Sequence, residues 1–265
     1  MNEFAQHLMH YVTAALAAIQ VVLVFLIPML VIELLRPARR LHIGTVLFNL
    51  CYAPVYLTVS SVVLAPVASQ FSPWIPANLL GWSIADTTVW AAAPLVFGYL
   101  VAFDFFYYWF HRLQHRWEWM WRFHRFHHAD SNVSISSATR HHWLEEALRY
   151  FVMSVPLLFL FGSPERTFTW LGVLTGVLGL FIHWNVPLTL GRFGVVLVGP
   201  QYHRLHHSIE PRHYDKNFAV IFPFWDKLFG TQCLPQGREF PETGLTETPK
   251  PNGLALLLPV PPYRG

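Results

Sequence analysis

A chain of 265 residues that is 54% hydrophobic and only 12% charged is not a disordered polypeptide. It also departs from an ordinary soluble domain, where about a quarter of residues are charged. A net charge of +3 is too small and too scattered for a nucleic-acid surface, and two cysteines, Cys51 and Cys233, without a CxxC pair exclude a disulfide framework. An apolar helical chain has no ordinary use for 15 histidines, nearly as many as its 18 Lys and Arg.

The predicted elements are helical throughout. The N-terminus carries an acidic residue and no Lys or Arg, so the first apolar stretch is expected to stay as an anchor rather than be cleaved as a leader. Roughly 20 apolar residues cross a bilayer core. Five stretches approach that length: 12–35, 45–68, 89–110, 147–161 and 168–184. The fourth is short and holds Pro156, which suits a segment that dips rather than crosses. Gly162-Ser163-Pro164-Glu165 reads as a tight turn between the last two. With the N-terminus outside, only Arg166 of the 18 basic residues falls in the outer segments, so the inner side is cytoplasmic. The expected fold is therefore an all-α membrane bundle of four or five spans. Its parts are anchor helices over 1–88, a region over 89–232 with a cytoplasmic histidine-rich cap, and a Pro-rich cytoplasmic tail over 233–265.

That topology gathers histidines on one membrane face. His111 and His115 close the third stretch, His141 and His142 precede the fourth, and His183 closes the fifth. Two HxxHH groups, His124-His127-His128 and His203-His206-His207, add helical i, i+3 and i+4 spacing. Neutral imidazoles so spaced chelate iron, copper, zinc or nickel without straining a helix. Adjacent residues diverge by about 100° around a helix, so each HxxHH group serves two ions more readily than one. Eight clustered imidazoles overfill a single zinc, and the lack of carboxylate or thiolate in the groups disfavours magnesium, calcium and iron–sulfur clusters.

These clusters resemble those of the fatty acid hydroxylase/sterol desaturase superfamily, integral membrane non-haem diiron oxygenases. The resemblance rests on Asp104-x-x-Tyr107-Tyr108-x-x-His111-x-x-x-His115, both HxxHH groups and His183-Trp184-Asn185. It continues through Asp215-Lys216-Asn217-Phe218 and Trp225-Asp226-Lys227-Leu228-Phe229-Gly230-Thr231. Two positions depart from the family pattern. Trp143 replaces a proline in Arg140-His141-His142-Trp143-Leu144-Glu145, and Ala219 replaces a glycine after Phe218. Register from Arg140 and Glu145 makes His142 the family position and His141 a bystander.

The resemblance implies ligands at His111, His115, His124, His127, His128, His203, His206 and His207, with His183 a ninth and His142 a tenth. The divergence argument suggests one ion on His111, His124, His127, His203 and His206. The other would sit on His115, His128, His183 and His207, with His142. Asp104, Glu145, Asn185 and Asp215 are expected to orient imidazole N–H groups. Two iron ions (zinc as a substitute in purified protein) would use O₂ to hydroxylate or desaturate a lipid entering from the bilayer. No CxxC, HPGG or GxGxxG signature is present, which implies a separate donor, a ferredoxin or a cytochrome b5-like protein with its reductase. The setting would be a bacterial inner membrane with the site on its cytoplasmic face. Alkyl-ether cleavage, carotenoid hydroxylation and a non-enzymatic metal-binding protein are the competing readings. His141, His213, His7, His10 and His42 read as peripheral, and Arg112, Arg116, Arg122 and Arg125 as snorkelling groups.

Overall fold

The computed structural model describes residues 23–74, 89–162 and 165–246, together with positions 9, 13 and 79. The described residues form helices and loops with no strand; a lone bridge joins Ser208 to Thr243. In chain order the helices are α1 (Leu23–Leu35), α2 (Ile43–Phe71), α3 (Val89–Arg116), α4 (Glu118–His128), α5 (Trp143–Arg149), α6 (Val155–Phe161), α7 (Glu165–Ile182), α8 (Pro200–His206) and α9 (Phe224–Leu228).

Among these, two rather than the expected four or five are long and apolar enough to cross a membrane: α2, and α3 from Ala92. Only 22% of each apolar window is fully buried, and the rest of its side chains are half-buried or exposed. Most of the first expected stretch before Leu23 lies outside the described residues; the remainder, α1, exposes Leu23, Val24, Phe25, Ile27, Val31 and Ile32. The fourth stretch stays helical from Trp143 to Phe161 but passes through a π-helical turn at Tyr150–Ser154 between α5 and α6, just before Pro156, which has no N–H to give the preceding turn and whose ring crowds the carbonyl four residues back. The side chains of α7 are described from Leu171 onward, and that part, Leu171–Ile182, is shorter than a span. Gly162 ends α6 at φ 76°, a left-handed conformation that glycine adopts freely; Ser163 and Pro164 lie outside the described residues.

The anchor helices grip the histidine region through polar groups buried on one face. On α2, Asn49, Tyr52 and Tyr56 share a stripe at i, i+3 and i+7. Asn49 donates to Asp130 (3.0 Å) and Ser136 (3.2 Å), Tyr52 to the His141 carbonyl (2.7 Å), and Tyr56 to Glu146. From α1, the buried Glu33 carboxylate accepts the backbone N–H groups of Ile135 (3.0 Å) and Asn185 (2.7 Å).

The main apolar core lies beside the histidines. Tyr108, Ile182, Val198 and Tyr202 pack on the irregular run Phe218–Phe222. An irregular buried backbone must find partners for its N–H groups. Asp104 on α3 accepts those of Val220 (2.9 Å), Ile221 (3.1 Å) and Phe222 (2.7 Å). Asp226 on α9 accepts those of Phe218 (2.7 Å) and Ala219 (3.1 Å). The turn before this run needs left-handed backbone at Asp215 (φ 55°) and Asn217 (φ 59°), residue types that tolerate it, whereas Ala219 is not in that region. Residues 237–243 run back over the histidine region, held by Gln201, Arg39 and Arg204 on the carbonyls of Gly237, Glu239, Phe240 and Pro241. Residues 247–265 of the expected tail lie outside the described residues.

Candidate metal centre

Nine histidines converge from four parts of the chain into two groups, each with its ring nitrogens within 4.8 Å of one another. The first is His111, His115, His124, His128 and His206; the second is His127, His183, His203 and His207. This differs from the expected split. Adjacent His127 and His128 go to different groups, as do His206 and His207, as their divergence requires. The partner within each helix, however, is the residue four away. Residues i and i+4 are about 40° apart around the axis, and i and i+3 about 60°, so 124 joins 128, 203 joins 207, and 111 joins 115. The cross-helix partners follow from how α3, α4, α8 and the end of α7 meet, which spacing does not contain.

Five of the nine rings are aimed by what their outer nitrogens touch, while the buried Nδ1 of His127, His203 and His207 has no hydrogen-bond partner. The Nδ1 of His111, His206 and His183 lie 2.9, 2.8 and 2.7 Å from the carbonyls of Phe218, Lys216 and Gly179. A carbonyl only accepts, so each Nδ1 carries the proton and each Nε2 presents a lone pair inward. His124 Nδ1 faces the Glu145 carboxylate at 3.2 Å and His115 Nδ1 faces Asp215 at 3.4 Å, with the same effect. In the first group the Nε2 of His128 then meets those of His115 (3.2 Å), His124 (3.2 Å) and His206 (3.1 Å). One proton cannot satisfy three acceptors, and the buried Nε2 of His111 has no partner. The second group is a row in which 127–183, 183–203 and 203–207 each approach to 3.1 Å through Nε2. Packed lone pairs repel unless a cation sits among them. Separations near 3.1 Å are also what ligands on bonds of about 2.1 Å subtend close to right angles. Donor type, spacing and orientation therefore all fit a metal ion in each group.

Burial holds the imidazoles outside the spanning helices neutral, the form a metal needs. His124 is pushed down to about 4, against the opposing influence of Glu145, and His127, His128, His203, His206 and His207 lie well below the usual imidazole range. Burial alone would raise the Glu145 carboxyl; hydrogen bonds from His124 and His141 hold it well below its ordinary value.

Other expected site residues are placed differently. His142 lies outside both groups: its Nδ1 accepts the Leu144 N–H at 3.2 Å and caps α5, and its ring packs on Phe123. Its neighbour His141, read as a bystander, stacks on His127 at 4.3 Å and faces Glu145 at 3.4 Å. Trp143 begins α5, so His142 takes the cap and His141 turns inward. Of the four residues expected to orient imidazoles, Glu145 and Asp215 face ring nitrogens. Asp104 instead fastens the 220–222 backbone, and Asn185 fastens the Arg39 backbone (3.1 and 2.7 Å) and Arg204 (3.3 Å). The carbonyls of Phe218, Lys216 and Gly179 have no sequence signature, and Gln114, donating to Glu145 at 2.6 Å, had only its helix position. A cavity of about 270 Å³ borders the first group at His115, His128 and His206; Trp121, Arg125, Tyr214 and Asp215 also line it.

A helical scaffold with two buried polyhistidine groups at the end of a membrane-length helix defines a class, and the family comparison agrees. Residues 96–231 match the fatty acid hydroxylase family, and the chain belongs to it. Among curated relatives, the ornithine lipid hydroxylase OlsE of Rhizobium tropici is 31% identical over 155 residues, 58% of this chain and 46% of that protein. Human alkylglycerol monooxygenase is 34% identical over 48% of this chain and 28% of its own length. A cholesterol 25-hydroxylase-like protein of Danio rerio is 26% identical over 82% of this chain and 88% of its own length. The chain thus spans less than half the length of the first two. No solved structure matches it.

Proposed function

We propose that the protein is an O₂-dependent lipid monooxygenase of the membrane, holding one iron in each histidine group. The observation that carries this reading is the convergence of inward-facing imidazole lone pairs in two adjoining sets, the first opening onto a cavity. The resemblance to lipid hydroxylases and monooxygenases supports it. Bound iron would supply the reduction of O₂ and the cleavage of an unactivated C–H bond, chemistry that no side chain here can perform. The chain's part is positional. Phe218, Lys216 and Gly179 carbonyls and the Glu145 and Asp215 carboxylates hold the rings in one tautomer, and burial keeps the imidazoles free of protons. The cavity at His115, His128 and His206 gives small reactants a way to the first group while the second stays enclosed. Electrons come from a separate donor, of the ferredoxin or cytochrome b5 class, docking on the cytoplasmic face of a bacterial inner membrane.

Comparative lipid mass spectrometry of a host expressing the wild type or His206→Ala tests this. A lipid gaining 16 mass units only with the wild type is the expected result; an unchanged lipid profile with iron-loaded protein and a competent donor would refute it. Loss of 2 units would indicate desaturation. Loss of an alkyl chain would indicate ether cleavage, the second reading, favoured by the 34% identity to human alkylglycerol monooxygenase.

A further inference from the structure

A third cluster lies outside the nine histidines. Glu210, His213 and Glu239 each offer a ligand atom, all within 4.8 Å of one another. His213 is fully buried, yet neither ring nitrogen has a hydrogen-bond partner. Leaving an imidazole so placed costs the full desolvation of its polar atoms. Its Nε2 points at Glu239 Oε1 from 3.4 Å, without the alignment of a hydrogen bond. That separation is about the edge of a tetrahedron of ligands on bonds of about 2.1 Å. Arg212, half exposed, bridges the two carboxylates, its Nε on Glu210 at 2.8 Å and a terminal nitrogen on Glu239. One guanidinium cancels one of two carboxylate charges, and the cluster keeps a net negative charge against a buried, unsatisfied nitrogen.

We propose that Glu210, His213 and Glu239 bind a structural divalent ion of the zinc class, separate from the two polyhistidine groups. One imidazole and two carboxylates suit zinc, and the half-exposed edge of the cluster leaves water to complete the shell. The ion joins two segments that meet nowhere in sequence. Glu239 belongs to the run whose Phe240 and Pro241 carbonyls are held by Arg39 and Arg204. Glu210 and His213 belong to the loop that goes on to Asp215, which faces His115, and Lys216, whose carbonyl holds His206. A metal here staples the 237–243 run to the loop that orients two histidines of the first group.

The test is total metal per chain, by plasma mass spectrometry, on full-length protein in detergent after equilibration with zinc and removal of free ion. The wild type should carry one ion more than Glu210→Gln, His213→Gln or Glu239→Gln, and zinc should raise the wild-type melting temperature by a step that Glu210→Gln lacks. Glu210 is half exposed, so that variant keeps the fold even if His213→Gln does not. Equal metal content in the wild type and Glu210→Gln overturns the proposal. His207→Ala, which disturbs only the polyhistidine site, should retain the extra ion, so failure of the oxygenase reading and failure of this one give different counts.

Discussion

Acidifying the metal-free protein from pH 7.5 to pH 5.5 should remove much of its stability, and the size of the loss follows from burial. Six histidines outside the spanning helices, His124, His127, His128, His203, His206 and His207, have folded-state pKa values lowered by burial, His124 to about 4. A lowered imidazole pKa means that the unfolded chain takes up protons first. The penalty is absent above about pH 6.5, grows as pH falls through that value, and levels off only near the folded pKa. At pH 5.5 an unfolded histidine is about ten-elevenths protonated while its folded counterpart stays neutral, which costs about 1.4 kcal/mol each. Six such groups give about 8 kcal/mol, comparable to the whole stability of a typical domain. The melting temperature of metal-free protein in detergent, followed by tryptophan fluorescence, should fall by about 15–30 °C. A melting temperature equal at the two pH values would mean that the imidazoles are not buried and neutral, and would refute the reasoning. The same pre-deprotonated state predicts that metal affinity of the folded protein changes little over this range, where an exposed histidine site would weaken about tenfold per ligand.

Three further outcomes follow from named contacts. Asp104→Ala removes three charge-assisted hydrogen bonds to the 220–222 backbone and should cost at least about 4 kcal/mol, with Asp104→Asn about half as severe because one oxygen keeps two of them; thermal unfolding reads both, and an unshifted Ala variant would contradict the clamp. His127→Ala and His128→Ala, neighbours in sequence, should each drop metal content from two ions to one at the polyhistidine site, from different groups; loss of both ions in either variant would show that the groups are not independent. Glu145→Gln should weaken metal binding in the first group by about 10–100-fold while sparing the second, since Glu145 faces His124 and not the four rings of the other set, and competition with a graded series of chelators measures it.

Much of this site was legible in the chain because a helix turns spacing into direction. HxxHH on α4 and again on α8 marks two imidazoles one turn apart and a third turned away, and the lone His183 followed by Asn185 marks a closing position. Three things were out of reach. The i+4 partner is favoured over the i+3 partner by only about 20° around the axis, a small margin beside the crossing of α3, α4 and α8, which spacing does not contain. The outer-nitrogen partners of His111, His183 and His206 are backbone carbonyls, which every residue possesses and none advertises. Asp104 and Asn185 carry the residue types expected to orient imidazoles, yet in the fold the nearer unsatisfied groups are backbone N–H and C=O, and those win. Among the described residues fewer helices have the length of a span than expected, in part because apolar content alone does not reveal the π-helical turn before Pro156.

The two short helices carry an architectural consequence. His124 and His128 of α4 enter the first group and His127 the second; His206 of α8 enters the first, and His203 and His207 the second. Each group therefore draws on both α4 and α8, while α3 supplies only the first group and the end of α7 only the second. The distance between the groups is set by one residue step along two rigid helices rather than by any loop. Sliding α3 or α7 would open one group without moving the other, whereas tilting α4 or α8 would distort both at once. This accounts for the burial of α4 and α8 over their histidine-bearing lengths, while the lipid-length helices around them are mostly half-buried or exposed.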